Sequence, residues 1–264
     1  ILLCSCLLWT ASAFAIEKNV SSPDGKVVVA VSDEGGAPSY SVTYNGIPFL
    51  LKSPLGIETN LGNYTSQMEL SSASENQALN ETYQLPNIKQ SHVEYQANRQ
   101  VFTFSKDGKK IYDVIFQVSN RDVAFRYKLY PQKQTLCCVV LKEATGFTMP
   151  QGTTTFMCPQ SKPMGGFART SPSYETGYTP DDAIGKNGWG EGYTFPCLFR
   201  LNENGWVLIS ETGTDGGYCG CRLLGQENGL YTIGFPQEGE MNGNASVYPG
   251  MALPGETPWR TITL

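Results

Sequence analysis

Gln100-Val101-Phe102-Thr103-Phe104-Ser105 and Tyr112-Asp113-Val114-Ile115-Phe116-Gln117-Val118 stand on either side of Lys106-Asp107-Gly108-Lys109. Apolar side chains fall at every second position, the period at which a strand presents one face to a core. Asp107-Gly108 between two such runs is a tight-turn signal, so the segment predicts an antiparallel hairpin. Val123-Ala124-Phe125-Arg126-Tyr127-Lys128-Leu129-Tyr130 alternates again and adds a third strand.

The same pattern spreads outward. Val27-Val28-Val29-Ala30-Val31 leads to Tyr40-Ser41-Val42-Thr43-Tyr44, then Asn45-Gly46, then Ile47-Pro48-Phe49-Leu50. Leu198-Phe199-Arg200-Leu201, Asn204-Gly205 and Trp206-Val207-Leu208-Ile209 predict a second Asn-Gly hairpin. No dozen residues keep a 3.6-residue apolar period. Strands recurring about every ten residues over some 250 residues predict an all-β chain, a large two-sheet antiparallel super-sandwich. Residues 65–78 are polar and read as an exposed connection.

The chain opens Ile1-Leu2-Leu3-Cys4-Ser5-Cys6-Leu7-Leu8 and reaches Ala13-Phe14-Ala15. An apolar run before an A-x-A site reads as a signal peptide, residues 1–15, that lacks its charged start. The domain then covers 16–264, and the protein is expected to be exported, to the periplasm or the extracellular space. No other stretch of about 20 apolar residues offers a transmembrane span. Thr257-Pro258-Trp259-Arg260-Thr261-Ile262-Thr263-Leu264 reads as the opening of a strand, as in a chain truncated at both ends. A net charge of −5 without a basic run speaks against nucleic acid, whose phosphates need clustered Lys and Arg.

Six cysteines follow residue 15: Cys137, Cys138, Cys158, Cys197, Cys219 and Cys221. Neighbours on a strand point to opposite faces, so Cys137 and Cys138 are poor partners for each other. Cys219-Gly220-Cys221 lacks the second pair and the nearby His of a zinc site. Buried thiols or one disulfide remain as readings of the set. The single histidine, His92, lies in a polar stretch with no nucleophile elbow to serve.

Residues 165–220 are of a different kind. Tyr174-Glu175-Thr176-Gly177-Tyr178, Gly192-Tyr193-Thr194-Phe195-Pro196 and Ile209-Ser210-Glu211-Thr212-Gly213 combine glycine, proline and aromatic rings with isolated carboxylates. Sugar rings pack on aromatic faces, and carboxylate oxygens take hydroxyls or calcium. Tyr174, Tyr178 and Trp189 are therefore candidate substrate-binding residues, with core packing or domain contact as the plainer alternative. Glu175 is the candidate metal ligand, or else a partner of Arg169 or of a loop amide. Glu211, at a strand end, suits structural pairing at least as well.

The order of several short motifs adds a family. Ser22-Pro23-Asp24-Gly25-Lys26, Ser53-Pro54-Leu55-Gly56-Ile57, Ala124-Phe125-Arg126-Tyr127, Tyr193-Thr194-Phe195-Pro196, Ile209-Ser210-Glu211 and Thr257-Pro258-Trp259-Arg260 follow one another as in the N-terminal domain of glycoside hydrolase family 97, which the chain resembles. The resemblance implies a galactose-mutarotase-like sandwich placed before a (β/α)8 barrel. It implies Ca2+-dependent hydrolysis of α-glucosides or α-galactosides, with an oligosaccharide substrate and the catalytic acid and base or nucleophile on the barrel, outside this chain. It also implies one calcium ligand lent by the sandwich in a Glu-x-x-Tyr setting, matched by Glu175-Thr176-Gly177-Tyr178. The rival expectations are a free-standing carbohydrate-binding sandwich and a mutarotase-type enzyme. The second is disfavoured because His92 has no paired acid or base in view.

Overall fold

The computed structural model of the protein describes residues 16–162, 177–240 and 246–264. The signal-peptide reading of residues 1–15 lies outside them. The central alternation builds a meander in which His92–Lys106 pairs with Lys109–Ser119, and Lys109–Ser119 with Asp122–Leu129, both antiparallel. Asp107 and Gly108 take φ of 51° and 71° between the first two strands, and Asn45 and Gly46 take 49° and 78° between Ser39–Tyr44 and Ile47–Pro54. Two successive positive φ angles let a two-residue turn follow strand twist, which is why Gly sits second in each pair.

From Asp122–Leu129 the sheet continues through Trp259–Thr263, Trp206–Thr212 and Tyr193–Arg200 to Thr154–Pro159. A second sheet runs from Glu17–Ser21 through Val27–Ser32, Ser39–Tyr44, Ile47–Pro54, Gly146–Thr148 and Leu230–Gly234 to Arg222–Gly225. Arg222–Gly225 also pairs with Tyr193–Arg200, at Tyr193↔Leu223 and Thr194↔Arg222, so the two sheets join along one side. This is the expected large antiparallel sandwich. A separate four-stranded sheet contains Ile57–Thr59, Gly62–Tyr64, Cys137–Glu143 and Gly250–Ala252.

The inward positions of both sheets form one core. Tyr40 of the second sheet lies with its ring centroid 5.1 Å from Phe125 and 5.9 Å from Phe116 of the first. Phe102 meets Phe116 edge-on at 5.7 Å. Fully burying one such ring stabilises the fold by about 1.5–3 kcal/mol, and tilted or edge-on ring pairs add about 0.5–1.5 kcal/mol. Two of the buried phenols that bridge the sheets, Tyr40 and Tyr127, are hydrogen-bonded, which offsets the cost of burying a polar group. Tyr40 Oη donates to Gly146 O at 2.9 Å, while Tyr127 Oη accepts from Gly56 N at 2.9 Å and meets Thr145 Oγ1 at 2.8 Å.

Three local expectations meet a more detailed outcome. Residues 65–78 are not merely a connection, because Glu69–Ala73 and the start of Gln77–Gln84 both pair with His92–Lys106. Only Met68 and Leu70 turn inward there, too few to show a period, and Gln77–Gln84 is exposed nearly throughout. The hairpin at Asn204-Gly205 closes through a wider loop, with a 3-10 turn at Asn202–Asn204 and Leu201 N donating to Gly205 O. Cys137 is exposed and Cys138 buried, on opposite faces as expected; both are free thiols, as are Cys197, Cys219 and Cys221.

Candidate functional site

The structure separates the candidate residues. Tyr174 and Glu175 lie outside the described residues. Tyr178 and Trp189 lie near the sheet edge formed by Thr154–Pro159 and Asp182–Ala183, which pair at Thr154↔Ala183 and Thr155↔Asp182. The Tyr178 ring stacks on Phe156 at 4.8 Å and 22°, and both rings remain exposed. Trp189, 61% exposed, lines a pocket of about 230 Å³ together with Thr155, Asp182, Lys186 and Tyr193. Lys186 Nζ pairs with Asp182 Oδ1 at its rim. The pocket depends on a tight turn at Gly188, whose φ is 56°; a Cβ there would stand 2.7 Å from Gly192 O and 2.9 Å from Pro159 Cβ. An exposed indole over a polar recess offers an apolar platform and hydrogen-bonding groups, the combination a sugar ring uses.

A second constellation is sealed inside. Arg260 and Glu143 are buried, at 0% and 1% exposure. Arg260 Nε donates to Glu143 Oε1 at 2.8 Å and Nη2 to Oε2 at 2.6 Å, a bidentate pair. Arg260 Nη1 donates to Glu211 Oε2 at 2.5 Å, and Glu211 Oε1 accepts from Cys221 N at 2.8 Å. Tyr218 Oη donates to Glu143 Oε2 at 3.1 Å, and the Cys221 sulfur accepts from Arg260 Nη2 at 3.4 Å. Burial, the largest influence, would lower the guanidinium, yet the Glu143 carboxylate beside it holds Arg260 well above its ordinary value. Glu211 is thus a structural partner, the plainer of its two readings. Glu143 escaped the sequence reading altogether. The available signal was Arg260 itself, which shares an inward face with Ile262 in an alternating strand and so requires a buried anion.

Next to this cluster lies an open pocket of about 420 Å³ lined by Arg126, Lys128, Asp215, Tyr218 and Glu256. Arg126 Nη2 pairs with Glu256 Oε2 at 2.5 Å, and its guanidinium lies 4.4 Å from the centre of the Trp259 ring. Trp259 is thus half-buried under a cation on this face. Among the described residues no three His, Cys, Asp or Glu side chains converge on a point that would hold a metal ion. Nor does any described helix have the length and apolarity to cross a membrane.

Residues 20–264 match the glycosyl-hydrolase 97 N-terminal family. The chain belongs to that family. A crystallised β-arabinopyranosidase shares 48% identity with this sandwich and superposes with a TM-score of 0.88, covering 93% of this chain and 40% of the other. A probable retaining α-galactosidase from Streptomyces bingchenggensis is 28% identical over 231 residues, 87% of this chain and 32% of the relative. A glycoside hydrolase family 97 enzyme from Pseudoalteromonas sp. strain K8, solved with panose, shares the fold at a TM-score of 0.75 and 24% identity, covering 93% of this chain and 35% of that one. The family-97 domain therefore spans a third to two fifths of the length of these relatives.

Proposed function

We propose that this domain is the non-catalytic N-terminal sandwich of an exported, calcium-dependent glycoside hydrolase that acts on galacto-configured glycosides. The observation that carries the reading is the 48% identity to a β-arabinopyranosidase over 93% of the chain. β-L-Arabinopyranosides and α-D-galactopyranosides share one ring configuration and differ by the C6 hydroxymethyl group. The similarity to a probable α-galactosidase therefore points to the same sugar geometry. α-Glucosides, the other substrate class the resemblance implied, become the second choice.

The sandwich packs on a (β/α)8 barrel that carries the acid and the base or nucleophile. Its own contributions are Tyr178 and Trp189, with Tyr174, toward the oligosaccharide, and Glu175 toward the metal. The described carboxylates support this division. Glu143 and Glu211 direct their oxygens at Arg260, Tyr218 and Cys221 N, so neither is available to a cation. Calcium takes six to eight oxygens, and one glutamate from this domain completes a shell whose other ligands come from the barrel. When bound, the ion supplies a hard Lewis acid that holds sugar hydroxyls in place.

The test compares this chain with the product of its intact gene on nitrophenyl α-galactoside, β-L-arabinopyranoside and α-glucoside. The intact product is expected to hydrolyse the first two, to lose activity with a chelator, and to regain it with Ca2+; the chain alone is expected to be inert. Turnover by the chain alone would place catalysis in the sandwich. Preference for the glucoside would overturn the substrate assignment. A product that binds oligosaccharide without hydrolysing any glycoside would make the domain a binding module.

A further inference from the structure

The loop that joins Trp206–Thr212 to Arg222–Gly225 runs through Gly213, Gly216, Gly217 and Gly220 and carries Cys219 and Cys221. Glycine at four of its positions leaves the loop little intrinsic stiffness. Its geometry is set by polar contacts instead. Gly217 N donates to Asp215 Oδ1 at 2.7 Å, Cys221 N to Glu211 Oε1 at 2.8 Å, and Tyr218 Oη to Glu143 Oε2 at 3.1 Å. Both sulfurs are half-buried free thiols. The Cys221 thiol lies within hydrogen-bonding reach of the Cys219 sulfur and 3.7 Å from the Cys219 carbonyl oxygen.

We propose that Cys219 and Cys221 form a reversible dithiol–disulfide pair that locks this loop over the Arg260 cluster. Three features of the site support it. A single glycine separates the two cysteines, and the Cys221 sulfur already lies 3.7 Å from the Cys219 carbonyl oxygen, so bond formation needs only local adjustment. The Arg260 guanidinium, fixed by two carboxylates, stands 3.4 Å from the Cys221 sulfur and favours one negative charge on the cysteine pair. The two thiols are also unequal. The hydrogen bond from Cys221, then the Arg260 charge, holds Cys219 below the ordinary thiol range, while donation of that bond and burial push Cys221 up. Cys219 is therefore the attacking thiolate and Cys221 the resolving one.

The oxidant is a small disulfide such as oxidised glutathione. Cys219 thiolate attacks one sulfur of the oxidant, the S–S bond breaks, and one glutathione thiolate leaves. Cys221 loses its proton, attacks the Cys219 sulfur of the mixed disulfide, and expels the second glutathione thiolate. Two electrons and two protons pass from the protein to the oxidant, which becomes two reduced glutathione molecules. The locked loop carries Asp215 and Tyr218, which line the pocket of about 420 Å³, so oxidation narrows the motions available to that wall.

The test uses the full chain treated with oxidised glutathione, alkylated with iodoacetamide, and digested with trypsin. The tryptic peptide 201–222 contains these two cysteines and no other. In the wild type it is expected to lose two hydrogens, to resist alkylation, and to recover two alkylatable thiols after reduction. Cys221→Ser is expected to retain one glutathione on Cys219, because the resolving thiol is gone. Cys219→Ser is expected to acquire at least tenfold less glutathione at Cys221. Circular dichroism checks that each serine variant folds, and should one fail, the wild-type peptide with the other variant decides. Double alkylation of the oxidised wild type, a glutathione retained there, or a disulfide to a different cysteine would overturn the proposal.

Discussion

Between Tyr40 and Phe116 the two sheets meet ring on ring, whereas between Arg260 and Glu143 a strand of one sheet meets the four-stranded sheet charge on charge. Water is excluded equally from both places, since Phe116, Arg260 and Glu143 are all at most 1% exposed. The balance of forces is opposite. The aromatic contact gains from buried area and from the tilt of its rings, with no charge to strip of water. The ionic contact gains from pairing only after both ions have been stripped of water, a cost of several kcal/mol per ion. The aromatic region therefore holds the sandwich together, and the ionic region fixes which strands and which loop meet there. A cluster of this kind adds little net stability when complete and costs heavily when one member is missing.

Raising the pH attacks both regions at once and gives the largest expected effect. Tyr40, Tyr112 and Tyr127 lie in the aromatic core and Tyr218 in the ionic cluster, and burial raises the phenol of each above its ordinary value. A raised folded-state value means that the folded chain holds the proton more tightly than the unfolded chain. The associated stability is fully present below the unfolded value near 10 and is lost as pH rises above it. With about 1.4 kcal/mol per tyrosine per pH unit, the loss is roughly 5 kcal/mol one unit above that point. Urea melts from pH 8 to 11 measure it. Phenolate absorbance that develops fully before unfolding would show that these phenols reach water in the folded state.

Arg260→Ala comes next, at about 4 kcal/mol, because it leaves Glu143 and Glu211 facing each other with no cation. The comparison is sharpened by the triple replacement Arg260→Met, Glu143→Leu, Glu211→Leu, expected to fall within about 1 kcal/mol of wild type because no buried charge remains. Chemical denaturation of both variants tests the contrast. A cost under about 1 kcal/mol for the single change would mean that water enters the cluster. Phe116→Ala follows at about 3 kcal/mol, the low end for a ring deletion, since Tyr40, Phe102 and Phe125 can close on the gap. Its cost should be the same at pH 5 and pH 8 and in high salt, whereas that of Arg260→Ala should change with both.

The difference between the two regions is also a difference in legibility. The ring-on-ring core was visible at once, because Phe102, Phe104, Tyr112, Val114 and Phe116 repeat with the period of a strand. So were the turns at Asn45-Gly46 and Asp107-Gly108, which need positive φ. Residues 65–78 hid a strand because Glu69–Ala73 is an edge with few inward side chains. The ionic cluster hid more deeply. Its members are 117 and 49 residues apart in sequence, and no local rule ties Arg260 to Glu143 or to Glu211. Pairing was foreseeable only in kind: an arginine at an inward strand position needs a buried anion, and sequence does not say which. The family resemblance identified the domain from the order of its motifs, and did so without describing this cluster.

Trp189 is the smallest of the expected effects on stability and the most telling about function. Unlike Phe116 it is a large ring left mostly in solvent, lining the pocket with Asp182 and Lys186. An exposed side chain contributes little to folding, so Trp189→Ala should shift unfolding free energy by no more than about 0.5 kcal/mol. If the ring is a sugar platform, its loss should remove stacking worth about 0.5–1.5 kcal/mol and weaken oligosaccharide binding by roughly two- to tenfold. Tyr178→Ala, which removes the ring stacked on Phe156, should lie on the same side of the comparison. Thermal melts paired with titration of a galacto-configured oligosaccharide into the intact gene product separate the possibilities. A lower melting temperature with unchanged affinity would make Trp189 a packing residue like Phe116, and the exposed aromatic edge would then belong to a domain contact rather than to the substrate.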